Sequence, residues 1–124
     1  MKGDERRFVG VVDDDPAVVD AVQFLLELAG HRVIGYPSGV AFLDAPPPLP
    51  ACLILDQHMP EMTGLVLAER LREAGHAIPV LLMTGSPSPA ITARAAELGI
   101  ERVLDKPPVE ADLLNFIATH LPVA

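Results

Sequence analysis

Four polar points interrupt apolar runs in this chain, and their residue types form a set that could do chemistry. They are Asp13-Asp14-Asp15 after Phe8 to Val12, Asp56 after Leu53-Ile54-Leu55, Thr84 after Val80 to Met83, and Lys106 after Val103-Leu104. Carboxylates from the first two points, brought to one place, repel one another unless a cation lies between them. Hard oxygen ligands in that number suit Mg2+, which keeps several waters and is usually completed by a phosphate oxygen. A carboxylate left partly free beside such an ion can act as a nucleophile toward a phosphoryl group and become an aspartyl phosphate. The transferring group then needs its equatorial oxygens neutralised, and an ammonium and a hydroxyl serve that purpose. Asp13 or Asp14, Asp56, Thr84 and Lys106 supply the set.

Taken singly, each residue has an ordinary structural explanation. Asp15 before Pro16 reads as a helix cap, Thr84 as a turn residue and Lys106 before Pro107 as a solvated loop charge. Their joint occurrence, each at the end of its own apolar run, is what carries the chemical reading.

The elements needed to position them are legible in the pattern. Phe8 to Val12 does not alternate and is predicted as a fully buried strand. Asp15-Pro16 starts a helix with Val18, Val22, Leu25, Leu26 and Ala29 at helical spacing, closed by Gly30. His31 to Tyr36 reads as a second strand, and Ser38 caps a short helix carrying Val40, Phe42 and Leu43. The tract Ala45-Pro46-Pro47-Pro48-Leu49-Pro50 forces an extended link, a better reading than a ligand for a PxxP-binding domain. Strand three is predicted over 51–55, a third helix carries Leu65, Ala68 and Leu71 with Arg72 and Glu73 on its outer side, and strand four covers 78–83. Pro89 starts a helix with Ile91, Ala95 and Leu98, strand five is 102–104, and 109–121 forms the last helix. Strand and helix alternate five times, which implies an α/β domain with a five-stranded parallel sheet covered by helices on both faces. In such sheets the functional crevice lies beyond the carboxyl ends of the strands, where all four polar points fall.

With 124 residues, half of them hydrophobic, the chain is about one domain with a single core. A loose lead-in over 1–7, one domain over 8–121 and a tail over 122–124 are expected. A formal net charge of −8 argues against direct binding of nucleic acid or an anionic membrane by this domain. No apolar run reaches bilayer length and the start lacks a signal-peptide core, so a cytoplasmic protein is expected. Cys52, the one cysteine, lies within an apolar run and reads as a small core residue.

On Val12-Asp13-Asp14, Leu55-Asp56 with Met59-Pro60 and Gly64, Thr84-Gly85 and Lys106-Pro107, the chain resembles a receiver domain of a two-component response regulator. The likeness runs from Phe8 to Leu121 and has the flavour of the nitrogen-fixation-regulator (FixJ-like) receivers, with their Val-Asp-Asp-Asp opening. The resemblance implies a flavodoxin-like (βα)5 fold with strand order 2-1-3-4-5 and Asp56 as phosphoacceptor. It implies Asp14 as a direct Mg2+ ligand, Asp13 holding the ion largely through water, and the backbone carbonyl of His58 completing the metal site with Asp56. Thr84 and Lys106 would bind the phosphoryl group, and the bond before Pro107 would be cis. The phosphoryl donor would be a sensor histidine kinase or phosphotransfer protein. Such a domain is a signalling phosphoacceptor, not an enzyme acting on a separate substrate.

The sequence departs from the family pattern at Val103 and Pro108, where aromatic residues are usual. These departures leave open a degenerate receiver serving as a phosphorylation-independent interaction module. A haloacid-dehalogenase-like phosphatase ranks last, because that chemistry needs a carboxylate where His58 stands. The His58 side chain itself is expected at the solvent-facing rim. The face around Ile91, Arg94, Leu98 and Arg102 is expected to carry a homodimer or effector contact. Only three residues follow the last predicted helix, so the stretch reads as a receiver alone, free-standing or part of a longer regulator.

Overall fold

A computed structural model describes residues 7–121; the expected tail and all but Arg7 of the expected lead-in lie outside the described residues. Five strands, β1 (Val9–Val12), β2 (Val33–Tyr36), β3 (Cys52–Asp56), β4 (Val80–Thr84) and β5 (Arg102–Asp105), form one sheet in the order β2-β1-β3-β4-β5. Every pairing is parallel. Five helices connect and close them: α1 (Pro16–Leu28), α2 (Gly39–Asp44), α3 (Gly64–Glu73), α4 (Pro89–Glu97) and α5 (Glu110–His120).

Strand alternation divides the interior into two cores, because successive side chains leave opposite faces of the sheet. Leu53 and Leu55 of β3 join Phe42, Leu67, Ala68, Leu71 and Ala95 from α2, α3 and α4. Cys52 and Ile54 join Val22, Leu26, Leu113, Phe116 and Ile117 from α1 and α5. All residues of β1, β3 and β4 are buried, which is why their sequences run apolar without a polar alternate. Burial pushes the Cys52 thiol, with Glu101 adding to the effect, up to about 12, so it is a packing residue with no thiolate chemistry.

The helix starts follow from capping residues read in the sequence. Asp15 accepts from the Ala17 N–H, Ser38 from Ala41 and Ser88 from Ile91, with Pro16 and Pro89 in the first turns. Gly30, Gly75 and Gly99 end their helices with positive φ, the conformation that glycine adopts without strain. The Lys106–Pro107 bond is cis, as the resemblance implies, and so is Pro47–Pro48.

Three details differ from the sequence reading. The third, fourth and fifth strands end one residue later, so Asp56, Thr84 and Asp105 belong to the ladder itself. Arg72 does not sit free on the outer side of α3: its guanidinium donates to the carbonyls of Leu98, His76 and Ile78 at 2.8, 3.0 and 2.8 Å. The supposed partner face is also largely spent on the fold. Leu98 is buried and Ile91 packs on the core, while Arg94 pairs with Glu69 and Glu97 at 2.9 Å each. The last turn of a helix and its cap often face inward, and Leu98 is the cap of α4.

The junction of β3 and α3 is tightly built. A Cβ placed on Gly64 would lie 2.6 Å from the Asp56 carbonyl oxygen and 2.7 Å from Leu82 Cδ1. Backbone cannot yield to such an overlap as a flexible side chain can. Gly64→Ala is therefore expected to destabilise the domain by about 1–3 kcal/mol, measured as a lower urea midpoint. An unchanged midpoint would show that the junction is looser than described.

Candidate functional site

The strand ends bring the sequence-predicted residues together at the carboxyl edge of the sheet. Asp13 follows β1, Asp56 ends β3, Thr84 ends β4 and Lys106 follows β5. β1, β3, β4 and β5 are consecutive neighbours, so the four side chains need only local loops to meet.

Asp13 and Asp56 are 1% and 2% exposed. Burial on this scale strips most water from both carboxylates, and their shared cation has to replace it. Lys106 Nζ lies 2.9 Å from Asp13 Oδ2 and 3.2 Å from Asp56 Oδ1. These are ion-pair distances, yet neither oxygen receives a well-aligned hydrogen bond. The other Asp13 oxygen, Oδ1, accepts the Asp15 N–H at 2.9 Å, so the acidic turn is fixed from within. Asp14 is exposed beside them.

One ammonium faces three carboxylates here, an excess of negative charge. Ligand atoms of Asp13, Asp14 and Asp56 all lie within 4.8 Å of one another. At an effective dielectric of about 20, two full charges at that separation repel by roughly 3–4 kcal/mol. Burial pushes the Asp56 carboxyl above the usual carboxylate range and the Asp13 charge adds to the rise, against the pull of Lys106 and the His58 backbone N–H. Desolvation acts downward on Lys106, but the two carboxylates outweigh it and hold the ammonium proton more firmly than usual. Two buried carboxylate oxygens without aligned donors, converging with a third exposed one, fit a hard divalent cation.

Thr84 is fully buried at the far side of Asp56. Its hydroxyl oxygen accepts the Ser86 N–H at 3.1 Å and lies 2.9 Å from His58 Nε2. The exposed His58 ring therefore does not simply face solvent as the sequence reading placed it; its inner nitrogen is spent on Thr84. Gln57 is a second residue the sequence reading passed over. Its side-chain oxygen accepts the Leu65 N–H at 2.9 Å, and its backbone carbonyl accepts from Gly64 at 3.2 Å. With Thr63 accepting from Val66, the start of α3 is capped twice. A glutamine next to a strand end carries no local signal for this, because its partner is eight residues away.

The fold and this acid, hydroxyl and ammonium arrangement define a receiver domain of a two-component signalling system. The chain belongs to the response regulator receiver domain family, whose model matches residues 9–118. It is 38% identical to the response regulator protein TmoT of Ectopseudomonas mendocina over 122 residues, 98% of this chain and 56% of that protein. It is 37% identical to the transcriptional regulatory protein FixJ of Azorhizobium caulinodans over 114 residues, 91% of this chain and 54% of that protein. The chain thus spans about half the length of these curated relatives. Among solved structures, response regulator StyR superposes with a TM-score of 0.85 at 35% identity, over 94% of this chain and 59% of that one. FixJ-N superposes with a TM-score of 0.82 at 28% identity, over 95% and 97% of the two chains. Membership of this family displaces the dehalogenase-like alternative. Among the described residues, no helix is long and apolar enough to cross a membrane.

The raised Asp56 carboxyl has a consequence for stability. The folded chain binds that proton more tightly than the unfolded chain, so the contribution of Asp56 is favourable below the ordinary carboxylate value of 3.8 and is lost as pH rises through the raised folded value. Neutralising the group should therefore stabilise the fold at neutral pH without metal. Asp56→Asn is expected to gain roughly 0.5–2 kcal/mol by denaturant unfolding in chelator at pH 7, with the gain shrinking in acid. Equal or lower stability of the variant at pH 7 would contradict the charge-excess account.

Proposed function

We propose that Asp56 is the phosphoacceptor of this receiver and that phosphorylation there switches its protein contacts. The observation that carries the reading is the convergence of buried Asp13 and Asp56 on the single ammonium of Lys106, with Asp14 alongside. A carboxylate oxygen of Asp56 forms a bond to phosphorus while the bond from phosphorus to the donor breaks, and the departing group keeps that electron pair. The donor is a sensor histidine kinase or a phosphotransfer protein, in keeping with the family.

Asp13, Asp14, Asp56 and the His58 backbone carbonyl are the proposed Mg2+ ligands. When bound, the ion neutralises carboxylate and phosphoryl charge. Asp13 is the less available of the first two acids, because one of its oxygens already accepts from Asp15. Lys106 is set to follow the incoming charge: its ammonium already spans Asp13 and Asp56, and a phosphoryl oxygen on Asp56 offers it a stronger acceptor. Thr84 contributes the neutral donor on the opposite side. The working unit runs over 8–121. With Leu98 buried, an output contact at the α4 and β5 surface is proposed to run through charges, the Arg94 pairs and Arg102 beside Asp112. Val103 packs against the core as a partly buried residue, and it lies outside the acid cluster, so the machinery for phosphorylation is intact despite it.

Incubation with acetyl phosphate and Mg2+, followed by intact mass, tests the reading. One phosphoryl adduct is expected, dependent on Mg2+ and missing from Asp56→Asn. An adduct that persists in Asp56→Asn, or none at early times when hydrolysis has had no chance to act, would refute it.

A further inference from the structure

We infer that His58 is a positioning residue for the phosphoryl reaction: its ring fills the last acceptor site of the Thr84 hydroxyl and so directs the hydroxyl proton toward Asp56. This rests on the phosphoacceptor reading above and names a further residue in it. A threonine hydroxyl has one proton to donate and two lone pairs to accept with. Thr84 is fully buried, so no bulk water competes for these places. The Ser86 N–H occupies one lone pair at 3.1 Å. His58 Nε2, at 2.9 Å, holds the only other partner of the hydroxyl among the described residues.

In the unmodified protein this contact can run in either direction, since a neutral imidazole carries its proton on one nitrogen or the other. A phosphoryl group on Asp56 removes that freedom. Its oxygens are acceptors only, so the hydroxyl must donate to one of them. The His58 contact then survives only with Nε2 as donor, which completes the acceptor side of the hydroxyl and leaves its proton one direction. The ring is exposed and can exchange protons with water, so it reaches this tautomer without a change of charge or of packing. His58 follows Asp56 by two residues, and its backbone N–H acts on the Asp56 carboxyl. The same residue therefore touches both sides of the reacting group. β5 offers no substitute, because Val103 has neither a ring nor a polar atom.

The test is a double-mutant cycle on the rate of phosphorylation by acetyl phosphate with Mg2+, read by intact mass. His58→Ala should slow the reaction by roughly tenfold, the kinetic equivalent of about one net hydrogen bond. In a Thr84→Ala background the same change should cost nothing, because the group through which His58 acts is gone. His58→Gln, which can place an N–H near the ring nitrogen, should recover most of the rate. Ring 15N spectra, assigned with the Gln variant, should show Nε2 protonated in the phosphorylated form. Equal slowing in both backgrounds, no slowing in either, or an unprotonated Nε2 after phosphorylation would overturn the inference while leaving Asp56 as phosphoacceptor. Absence of any adduct in the unaltered protein would instead overturn the phosphoacceptor reading, and this one with it.

Discussion

The contact on which this domain turns is the ammonium of Lys106 between two buried carboxylates. Asp13 and Asp56 sit at the ends of adjacent strands in a fully apolar sheet, where their charges have lost most of their water. A protein selected for stability alone would fill such positions with apolar side chains, since a buried ion cluster seldom outperforms good packing. The carboxylates here are held apart from solvent and left with oxygens lacking aligned donors. The site is thereby primed for positive charge, whether it arrives as a metal ion or accompanies a phosphoryl group. Everything around it serves to keep that tension in place: the Asp13 turn tied to Asp15, the doubly capped α3, and the close fit of Gly64 on the Asp56 carbonyl.

Much of this was legible in the sequence, for reasons that are local. Buried parallel strands announce themselves as apolar runs, and the residue at which the run breaks is the one that reaches the crevice. Helix starts were equally plain, because Asp15-Pro16, Ser38 and Ser88-Pro89 cap within three residues of themselves. The order of the strands came from the family resemblance and agrees with the observed sheet.

What the sequence concealed depends on partners far along the chain. Arg72 reads as an exposed helix residue until the carbonyl of Leu98, 26 positions on, is brought beside it. His58 reads as a rim residue for the same reason, its partner Thr84 also being 26 positions away. Leu98 reads as surface because periodicity alone does not say how deeply the last turn of a helix sinks, and here it closes one of the two cores. The strand ends were set one residue short because a polar residue looks like the start of a loop, although its backbone still pairs in the ladder.

The Arg72 guanidinium has a mechanical meaning beyond its hydrogen bonds. Helices after parallel strands begin at the site edge and finish at the opposite edge, and Arg72 fastens α3, the approach to β4 and the end of α4 together at that far side. Near the site, the same two helices are held only by short caps from Thr63, Gln57 and Ser88. The pair is built like a hinged lid with its pin at the back. A small push at the strand ends meets least resistance as a swing of the front ends about Arg72, so motion at the site is amplified along the edge nearest Thr84 and damped at the far edge.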